Sequence, residues 1–464
     1  MSTRGTAERP LRVAVIGSGP SGFYAVERLQ KEGIPLEIDM FDRLPTPYGL
    51  VRGGVAPDHP KIKSVTRVYD KLAAHPSFRF LGNVCIGRDV SHAELLRHYD
   101  AVVYAVGAQT DRALGVPGET LPGSHAATEF VGWYNGHPDF CGCQFDLTQE
   151  AAAVVGVGNV AMDVTRILAT APAELEKTDL AGHALEALRE SRVRTVYVLG
   201  RRGPVQAAFT NPELKELGEL DDVDVVVDPR DLELDPLSAE ALATAEDHTL
   251  ERNMTTLREY AARPLAGRSR RIVLRFLVSP VEVVGKERVE GLRIVRNRLV
   301  SDGRGGIKAE ATGETEVLPA GLIFRSVGYR GVAIPGVPFD ERAGIIPNRD
   351  GRVLTQGGDE GEVVPGTYVV GWIKRGPSGV IGTNKPDAHE TAERLLEDLC
   401  SGSLPEPAEP GRAGLDALLA ERGVQVVSFS DWQRLDALEI AGGKACGRPR
   451  LKLTKIEEML AALK

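Results

Sequence analysis

A glycine-rich motif near the start of the chain combines residue types that can hold a phosphate. It reads Gly17-Ser-Gly19-Pro-Ser-Gly22, and an acid, Asp42, follows twenty residues after its last glycine. In such a motif the first glycine allows a tight turn, the second lets the backbone approach a pyrophosphate, and the third lets a helix pack closely on a strand. The helix N-terminus favours the phosphate charge, and Asp42 can accept hydrogen bonds from ribose hydroxyls. The motif therefore predicts a dinucleotide site, and the acid suits FAD.

A second motif of the same kind lies about 140 residues further on. It reads Gly156-Val-Gly158-Asn-Val-Ala161, and the strand expected after it ends in Arg201 and Arg202 rather than in an acid. An acid there would repel a 2′-phosphate, whereas paired guanidiniums can bind one through charge-assisted hydrogen bonds. The second site therefore suits NADPH. The alternative that the two arginines are ordinary solvated surface charges stays open.

The segments around both motifs have the hydrophobic pattern of strand, helix and strand. The predicted elements are 11–17, 20–32 and 36–42 for the first motif, and 151–155, a helix from about 160, and 193–200 for the second. The long segment 171–192 predicts a helical insertion, and 403–412 predicts a loop before a C-terminal helical tail. This alternation predicts an α/β fold with two Rossmann-like dinucleotide-binding domains.

The composition excludes several other classes of protein. The chain has 464 residues, of which 42% are hydrophobic and 26% charged, as expected for a globular protein of two or three domains. Its 51 glycines are in excess, and we assign the excess to turns and close backbone approaches. No apolar stretch reaches the ~18 residues of a membrane span and no signal peptide is recognisable, so we expect a cytoplasmic protein. The net charge of −9 disfavours general nucleic-acid binding.

The five cysteines include no Cys-x-x-Cys pair. This argues against a redox-active dithiol, a zinc ribbon and a cysteine-bound iron–sulfur cluster, and we interpret Cys141 and Cys143 as loop residues. Two dinucleotide sites in one chain instead predict hydride transfer from a nicotinamide to a flavin, for which the two rings must meet.

Longer motifs across nearly the whole chain identify a family. They are Leu44–Arg52, Gly54–Lys61, Tyr104–Gly107, Phe130–Asn135, Gly200–Pro204, Arg325–Tyr329 and Gly371–Asn384. With them the chain resembles the adrenodoxin-reductase-like ferredoxin–NADP reductases, especially the bacterial members. The resemblance implies a two-dinucleotide-binding flavoprotein in which an NADPH domain, 108–328, is inserted into a discontinuous FAD domain, 1–107 and 329–464. It also implies a monomer or weak dimer that passes electrons from NADPH to FAD and then singly to a ferredoxin-type iron–sulfur protein.

The resemblance assigns site residues by motif. For FAD these are Gly17 in the tight turn, Gly19, Ser21 and Gly22 at the pyrophosphate, Asp42 at the ribose, Leu50 and Ile86 in the lining, and Trp372, Gly379, Val380 and Ile381 at the flavin end. For NADPH these are Val157, Gly158, Asn159 and Val160 at the pyrophosphate, Arg201 and Arg202 at the 2′-phosphate, and Arg112, Glu213 and Gly379 along the rest of the cofactor. No metal is implied. Ala161 and Asp42 are mild departures from the family pattern.

Two titratable residues, His59 and Glu213, are implied to lie near the contact between flavin and nicotinamide. A histidine titrates near neutrality, and a carboxylate can orient or stabilise its protonated form. Because hydride transfer needs neither an acid nor a base, their removal would slow turnover without abolishing it. The alternatives are that His59 is a loop residue and that Glu213 is one more acid in the segment 213–240, which has eleven Asp or Glu and two basic residues.

An arginine-rich segment is the candidate docking site for the protein partner. Residues 252–276 contain seven arginines and one Glu, and ferredoxins are typically acidic. Local charge complementarity would steer their association. The candidate residues are Arg263, Arg268, Arg270, Arg271 and Arg275. The alternative that this segment is a solvated face or pairs with the acids of 213–240 stays open.

Other functions remain as alternatives. A thioredoxin-reductase-like enzyme needs a dithiol that the sequence lacks. A glutamate-synthase small subunit would carry iron–sulfur cysteines near its start, where only Cys85 lies within the first 140 residues. A flavoprotein that senses NADPH without productive turnover would have the same two motifs.

Overall fold

The structure, a computed structural model, describes residues 4–358 and 360–464 and divides into two compact units. The outer unit contains the described residues up to 55, then 59–110 and 329–464. The inserted unit contains 56–58 and 111–328. The chain thus crosses between the units near the positions 107 and 328 that the resemblance implies, and the short stretch 56–58 groups with the inserted unit. The assignment of FAD to one unit and NADPH to the other stays a prediction.

A seven-stranded sheet in the order β16-β17-β18-β4-β1-β2-β3 forms the centre of the outer unit. Its strands are β1 (Leu11–Ile16), β2 (Leu36–Phe41), β3 (Phe78–Leu81), β4 (Ala101–Tyr104), β16 (Asn348–Arg349), β17 (Arg352–Leu354) and β18 (Val363–Val369). All neighbours from β18 to β3 pair in parallel, and β16 and β17 add an antiparallel edge. Five of the six residues of β1 are buried, as expected for a central strand of a parallel sheet.

Both faces of this sheet are covered. Val13 and Val15 of β1 belong to one apolar cluster, and Ala14 and Ile16 belong to another, because successive side chains of a strand point to opposite faces. The helices of the outer unit are α1 (Pro20–Lys31), α2 (Leu50–Gly53), α3 (Pro60–Lys63), α4 (Thr66–Ala73), α5 (His92–His98), α13 (Trp372–Arg375), α14 (Asn384–Ser401), α15 (Arg412–Glu421), α16 (Phe429–Ala445) and α17 (Ile456–Ala461), with a 3-10 turn at Ile381–Thr383. The C-terminal helical tail expected from the sequence is thus present, and it begins with α15.

The inserted unit has a six-stranded sheet in the order β6-β14-β7-β8-β10-β9. Its strands are all parallel: β6 (Ser124–Ala126), β7 (Ala151–Val155), β8 (Thr195–Leu199), β9 (Val223–Val227), β10 (Arg270–Arg275) and β14 (Leu322–Arg325). A second, antiparallel sheet consists of β11 (Val278–Val284), β12 (Gly291–Ser301) and β13 (Ile307–Leu318). The remaining strands, β5 (Thr110–Asp111) and β15 (Tyr329–Arg330), pair with each other where the chain crosses.

The two faces of the parallel sheet in this unit are covered in different ways. Ala152 and Val154 of β7 pack with residues of the helices, whereas Ala153 and Val155 pack with residues of the antiparallel sheet. The helices are α6 (Ala127–Tyr134), α7 (Asn159–Ala169), α8 (Pro172–Leu175), α9 (Gly182–Arg189), α10 (Asn211–Leu217), α11 (Pro236–Ala243) and α12 (Thr249–Ala262), with 3-10 turns at Pro204–Gln206 and Pro229–Leu232. The helical insertion predicted within 171–192 corresponds to α8 and α9.

Candidate dinucleotide-binding sites

The first glycine motif forms a turn at the carboxyl edge of the outer sheet, between β1 and α1. Gly17 has φ +104°, and a Cβ there would lie 2.5 Å from the carbonyl oxygen of Ala105, so only glycine fits. A Cβ on Gly22 would overlap the carbonyl oxygen of Gly17. This confirms, within the turn itself, that the motif's first and third glycines serve a tight turn and close packing.

The N-terminus of α1 is available to an anion. Gly19 is its N-cap residue, and no side chain caps the first turn. The backbone N–H groups of Ser21 and Gly22 therefore lie in the position where helices bind phosphate. The segment after β2 borders this turn, because Tyr48 donates its backbone N–H to the carbonyl of Ser18 at 3.0 Å. The side chain of Leu50, in that segment, is 45% exposed.

Asp42 follows β2 at the same edge, but its carboxylate has partners within the protein. It accepts hydrogen bonds from the backbone N–H and the hydroxyl of Ser18 and from the backbone N–H of Leu44 at 3.0 Å. Burial raises the pKa of Asp42 above its ordinary value, and the hydrogen bonds from Ser18 and Leu44 oppose that rise only in part. Asp42 thus lies beside the glycine turn and joins it to the end of β2.

The glycine-rich segment after β18 also reaches the first turn. Gly371 has φ +76°, and a Cβ there would overlap the hydroxyl of Ser21 at the start of α1. The Trp372 ring stacks on Tyr329 with centroids 5.6 Å apart, and its indole N–H donates to the carbonyl of Ser378 at 3.1 Å. The predicted residues that follow, Gly379, Val380 and Ile381, form an exposed loop and the start of a 3-10 turn, and Val380 is 49% exposed.

Two further predicted residues of the outer unit lie further from this turn along the chain. Ile86 follows β3, is half-buried, and packs against the apolar cluster that contains Ile16. His59 is the N-cap residue of α3 and is half-exposed.

The second glycine motif forms the corresponding turn of the inserted unit, between β7 and α7. Gly156 has φ +136°, and a Cβ there would overlap the carbonyl oxygen of Ser326. Gly158 is the N-cap residue of α7 without a side-chain cap, and a Cβ there would have no atom within 4 Å. The open side of Gly158 and the uncapped helix fit a pyrophosphate.

The same turn holds the start of α10. The carbonyl of Val157 accepts the backbone N–H of Ala208 at 2.9 Å, and the Asn159 side chain accepts that of Thr210 at 2.8 Å. Thr210 is the N-cap residue of α10, which contains Glu213. Val160, the last residue assigned to the pyrophosphate, is half-buried in the first turn of α7.

Arg201 and Arg202 follow the carboxyl end of β8 and are both exposed. Their side chains form no ion pair with any residue that the structure describes, whereas their backbone carbonyls accept hydrogen bonds from Asn297 and Leu277. Two unpaired guanidiniums at the edge where the glycine turn lies have the charge that a 2′-phosphate requires. Arg112 is also exposed in this unit, near the crossing.

Arg166, which no sequence motif indicates, organises the acids around Glu213. Its guanidinium is 3% exposed and forms ion pairs at 2.5–3.1 Å with Asp58, Asp163, Glu213 and Glu216. Burial alone would lower the pKa of Arg166, but the carboxylates hold it well above its ordinary value. Asp58 lies in the stretch 56–58 that groups with the inserted unit. The available signal was a single arginine on the apolar face of α7.

A second missed group holds the segment that borders the first turn. Glu439 of α16 has a side chain that is 1% exposed, and both of its oxygens accept hydrogen bonds from Arg52, at 2.5 and 2.9 Å. It also accepts from Arg450 at 3.1 Å and from the backbone N–H of Leu453 at 2.9 Å. Burial would raise the pKa of Glu439, but the two guanidiniums hold it below its ordinary value. The Arg52 guanidinium in turn lies 5.0 Å from the centre of the Trp432 ring.

The arginines predicted for docking do not form one patch of free charge. Arg275 pairs with a glutamate of β13 at 2.5 Å, Arg263 lies over a tyrosine ring at 5.2 Å, and Arg268 donates to a backbone carbonyl at 3.3 Å. Arg270 and Arg271 begin β10, which is parallel to β8, so they lie at the amino edge of the sheet. At about 3.3 Å per residue this is roughly 15–20 Å from the carboxyl edge, where the glycine turn lies.

With the fold and both turns described, comparison with known proteins identifies the class. Residues 11–211 match the family model of pyridine nucleotide-disulphide oxidoreductases, so the fold and its turns define a two-dinucleotide-binding oxidoreductase. The chain is 51% identical to the NADPH-ferredoxin reductase FprA of Mycobacterium tuberculosis, over 97% of this chain and 99% of that protein. It is 45% identical to the mitochondrial NADPH:adrenodoxin oxidoreductase of Mus musculus, over 99% and 92% of the two chains.

The solved structures agree. The structure of Mycobacterium tuberculosis FprA in complex with NADPH has 50% sequence identity, a TM-score of 0.91, and covers 98% of this chain and 100% of that one. The chain belongs to the adrenodoxin-reductase-like ferredoxin–NADP reductases. The family and fold class predicted from the sequence are therefore confirmed. Within the described residues no helix combines the length and apolar character needed to cross a membrane.

Proposed function

We propose that this chain transfers electrons from NADPH, with FAD as its bound cofactor, to a ferredoxin-type iron–sulfur protein. When bound, the two cofactors supply hydride donation, hydride acceptance and the release of single electrons. One observation carries the proposal. Each unit has a glycine turn and an uncapped helix at the carboxyl edge of a parallel sheet, and the second turn is accompanied by two arginines that form no ion pair within the described part of the chain.

In the outer unit we assign FAD to the turn between β1 and α1. The backbone N–H groups of Ser21 and Gly22 would bind the pyrophosphate, since no side chain caps α1. To bind a ribose hydroxyl, the Asp42 carboxylate would have to give up one of its hydrogen bonds with Ser18. Otherwise its role would be to hold the glycine turn in shape. The exposed Leu50 and the loop at Gly379 are the surfaces that the rest of the cofactor would cover.

In the inserted unit we assign NADPH to the turn at Gly156 and Gly158, with Arg201 and Arg202 at the 2′-phosphate. The test is the double variant Arg201→Ala/Arg202→Ala, with kcat/KM measured for NADPH and for NADH. We expect a large loss for NADPH alone, because charge-assisted bonds to phosphate are the strong ones. Arg271→Ala, at the other edge of the same sheet, is the control. An unchanged preference for NADPH in the double variant would remove the case for a phosphate site here.

For Glu213 and His59 we propose roles in orienting and proton exchange at the reacting end of the nicotinamide. Glu213 is buried and ion-paired to Arg166, so its carboxylate has a fixed position. His59 belongs to the outer unit and Glu213 to the inserted unit, so their pairing stays a prediction. Variants Glu213→Gln and His59→Gln should lower kcat without abolishing it, because hydride transfer itself needs no proton.

The overall proposal is tested with the purified holoenzyme. NADPH should bleach the flavin absorbance, and cytochrome c should be reduced only when a ferredoxin is added. If NADPH does not bleach the flavin, the proposed enzymatic activity is refuted. Bleaching without ferredoxin-dependent reduction would favour a sensor that does not turn over.

Docking on Arg263, Arg268, Arg270, Arg271 and Arg275 remains a prediction with a separate test. The double reversal Arg270→Glu/Arg271→Glu should raise the ferredoxin KM and flatten its dependence on salt if the partner binds there. An unchanged KM would assign these arginines to a solvated face. The cytoplasmic location and the monomeric or weakly dimeric state also remain predictions.

A further inference from the structure

We infer that the acidic iron–sulfur partner docks on the α3–α4 face of the outer unit, defined by Lys61, Ile62, Arg67, Val68 and Lys71. The inference rests on the proposed function, because that function requires such a partner.

The α3–α4 face concentrates positive charge on a chain of net charge −9. Residues 60–74 contain four Lys or Arg and one acid, Asp70. Asp70 is exposed, and its carboxylate accepts a hydrogen bond from the hydroxyl of Tyr48. The side chains of Lys61, Arg67 and Lys71 are exposed and form no ion pair with the residues that the structure describes.

The lack of ion pairs to Lys61, Arg67 and Lys71 among the described residues distinguishes this face from the arginines of 263–275. The carboxylate of Asp222 accepts the backbone N–H of Ser269, and that of Asp224 accepts the backbone N–H of Arg268, so acids are interleaved with those arginines. An acidic partner approaching them would meet several carboxylates among the arginines, whereas at the α3–α4 face it would meet three cations and a single carboxylate, that of Asp70. An excess of unpaired positive charge steers the association of an acidic partner.

The same face exposes apolar side chains. Ile62 is 43% exposed and Val68 is 45% exposed. On α4 the pairs Arg67 and Lys71, Val68 and Lys71, and Arg67 and Asp70 are three or four residues apart. The apolar side chain therefore shares the exposed side of the helix with two cations and one carboxylate. Exposed apolar side chains among charges that are mostly positive match a small, transient redox interface, which typically buries under about 1,200 Å².

Helix α4 of this face packs on the helix that begins at the first glycine turn. Tyr69 of α4 is fully buried and stacks on Phe23 of α1, with ring centroids 4.5 Å apart and planes 7° apart. The helix α1 is the one whose N-terminus lies at the first glycine turn. The helices α3 and α4 connect the carboxyl end of β2 to the amino end of β3, so α3 is the nearer of the two to the cofactor edge along the chain. A partner on this face would therefore be held against the unit that carries the flavin.

The test compares charge reversals at two places. Lys61→Glu/Arg67→Glu should raise the KM for an acidic [2Fe–2S] ferredoxin about tenfold at low ionic strength, and the difference should shrink at high salt. Ile62→Asp should raise KM by an amount that salt does not remove. The control is Lys308→Glu, an exposed lysine of β13, which should leave KM unchanged.

A small electron acceptor distinguishes a failure of the docking inference from a failure of the proposed function. NADPH-dependent reduction of ferricyanide needs no docking surface, so it should be equal in all variants. If that activity is normal and the ferredoxin KM does not change in Lys61→Glu/Arg67→Glu, the α3–α4 face is overturned as the docking site. If Arg270→Glu/Arg271→Glu alone raises KM, the site lies on the inserted unit instead. If the unmodified holoenzyme cannot reduce ferricyanide, the proposed function fails, and the inference fails with it.

Discussion

The buried carboxylate of Glu439 provides the sharpest prediction of stability. In Glu439→Gln the volume is nearly unchanged, but the charge that faces Arg52 and Arg450 is removed. At least two charge-assisted hydrogen bonds are lost, each about 1.5–3 kcal/mol, and breaking a buried ion pair typically costs about 3–5 kcal/mol. We therefore expect the outer unit to lose about 3–5 kcal/mol. At about 2–4 °C per kcal/mol for a unit of this size, its melting temperature should fall by roughly 6–20 °C.

The stability lost in Glu439→Gln should be smaller in acid than at neutral pH. The pKa of Glu439 in the folded protein is held below its ordinary value. Its contribution is therefore fully present above the unfolded pKa of about 4.3 and is lost as the pH falls through the lower folded pKa. The difference in melting temperature between the two proteins should be constant from pH 8 to pH 6 and should narrow in acid.

The measurement is thermal unfolding of the holoenzyme, followed by circular dichroism and by flavin fluorescence. Asp436→Asn is the matched control, because Asp436 bonds only to Arg450 among the same groups and is 32% exposed. A pair of that kind contributes about 0–1 kcal/mol. The reasoning is refuted if Glu439→Gln melts within about 2 °C of the unmodified protein, or if Asp436→Asn costs as much.

Three further variants test other parts of the two units. Arg166→Met removes the guanidinium that four carboxylates share, so the free energy of unfolding of the inserted unit should fall by about 3–5 kcal/mol at pH 8. At pH 5 part of that stability should return, because protonation relieves the repulsion between the carboxylates. Equal melting temperatures of the variant and the unmodified protein at pH 8 would contradict this. Gly156→Ala forces a Cβ against Ser326 at positive φ, which should cost about 1–3 kcal/mol of stability and lower the melting temperature. The displaced turn should also weaken NADP⁺ binding by tenfold or more, which corresponds to about 1.4 kcal/mol of binding free energy. Gly158→Ala meets no protein atom, so it should melt like the unmodified protein without nucleotide and still bind NADP⁺ weakly, as titration calorimetry can measure; normal binding would remove Gly158 from the site.

The sequence was most informative where function depends on local backbone geometry. The turns at Gly17 and Gly156, and the strand over 151–155, follow from residue types within a few positions of each other. Arg166 and Glu439 could not be found in this way, because their partners are brought together by tertiary packing from segments up to hundreds of residues apart. The antiparallel sheet β11–β13 was also missed, since its strands serve to cover one face of another sheet. The discontinuity of the outer unit came from the family resemblance and not from spacing.

The interrupted course of the outer unit also bears on the order in which the protein can be built during synthesis. Strand β4 lies between β1 and β18 in the sheet, and β18 comes after the whole insertion. The 218 residues of 111–328 must be translated first, which takes roughly 10–45 s at about 5–20 residues per second. During that interval one edge of β4 has no partner strand, and an open edge is a template for pairing with another chain. A nascent chain that stalls or is cleaved within the insertion therefore presents an aggregation-prone edge that the finished enzyme does not have.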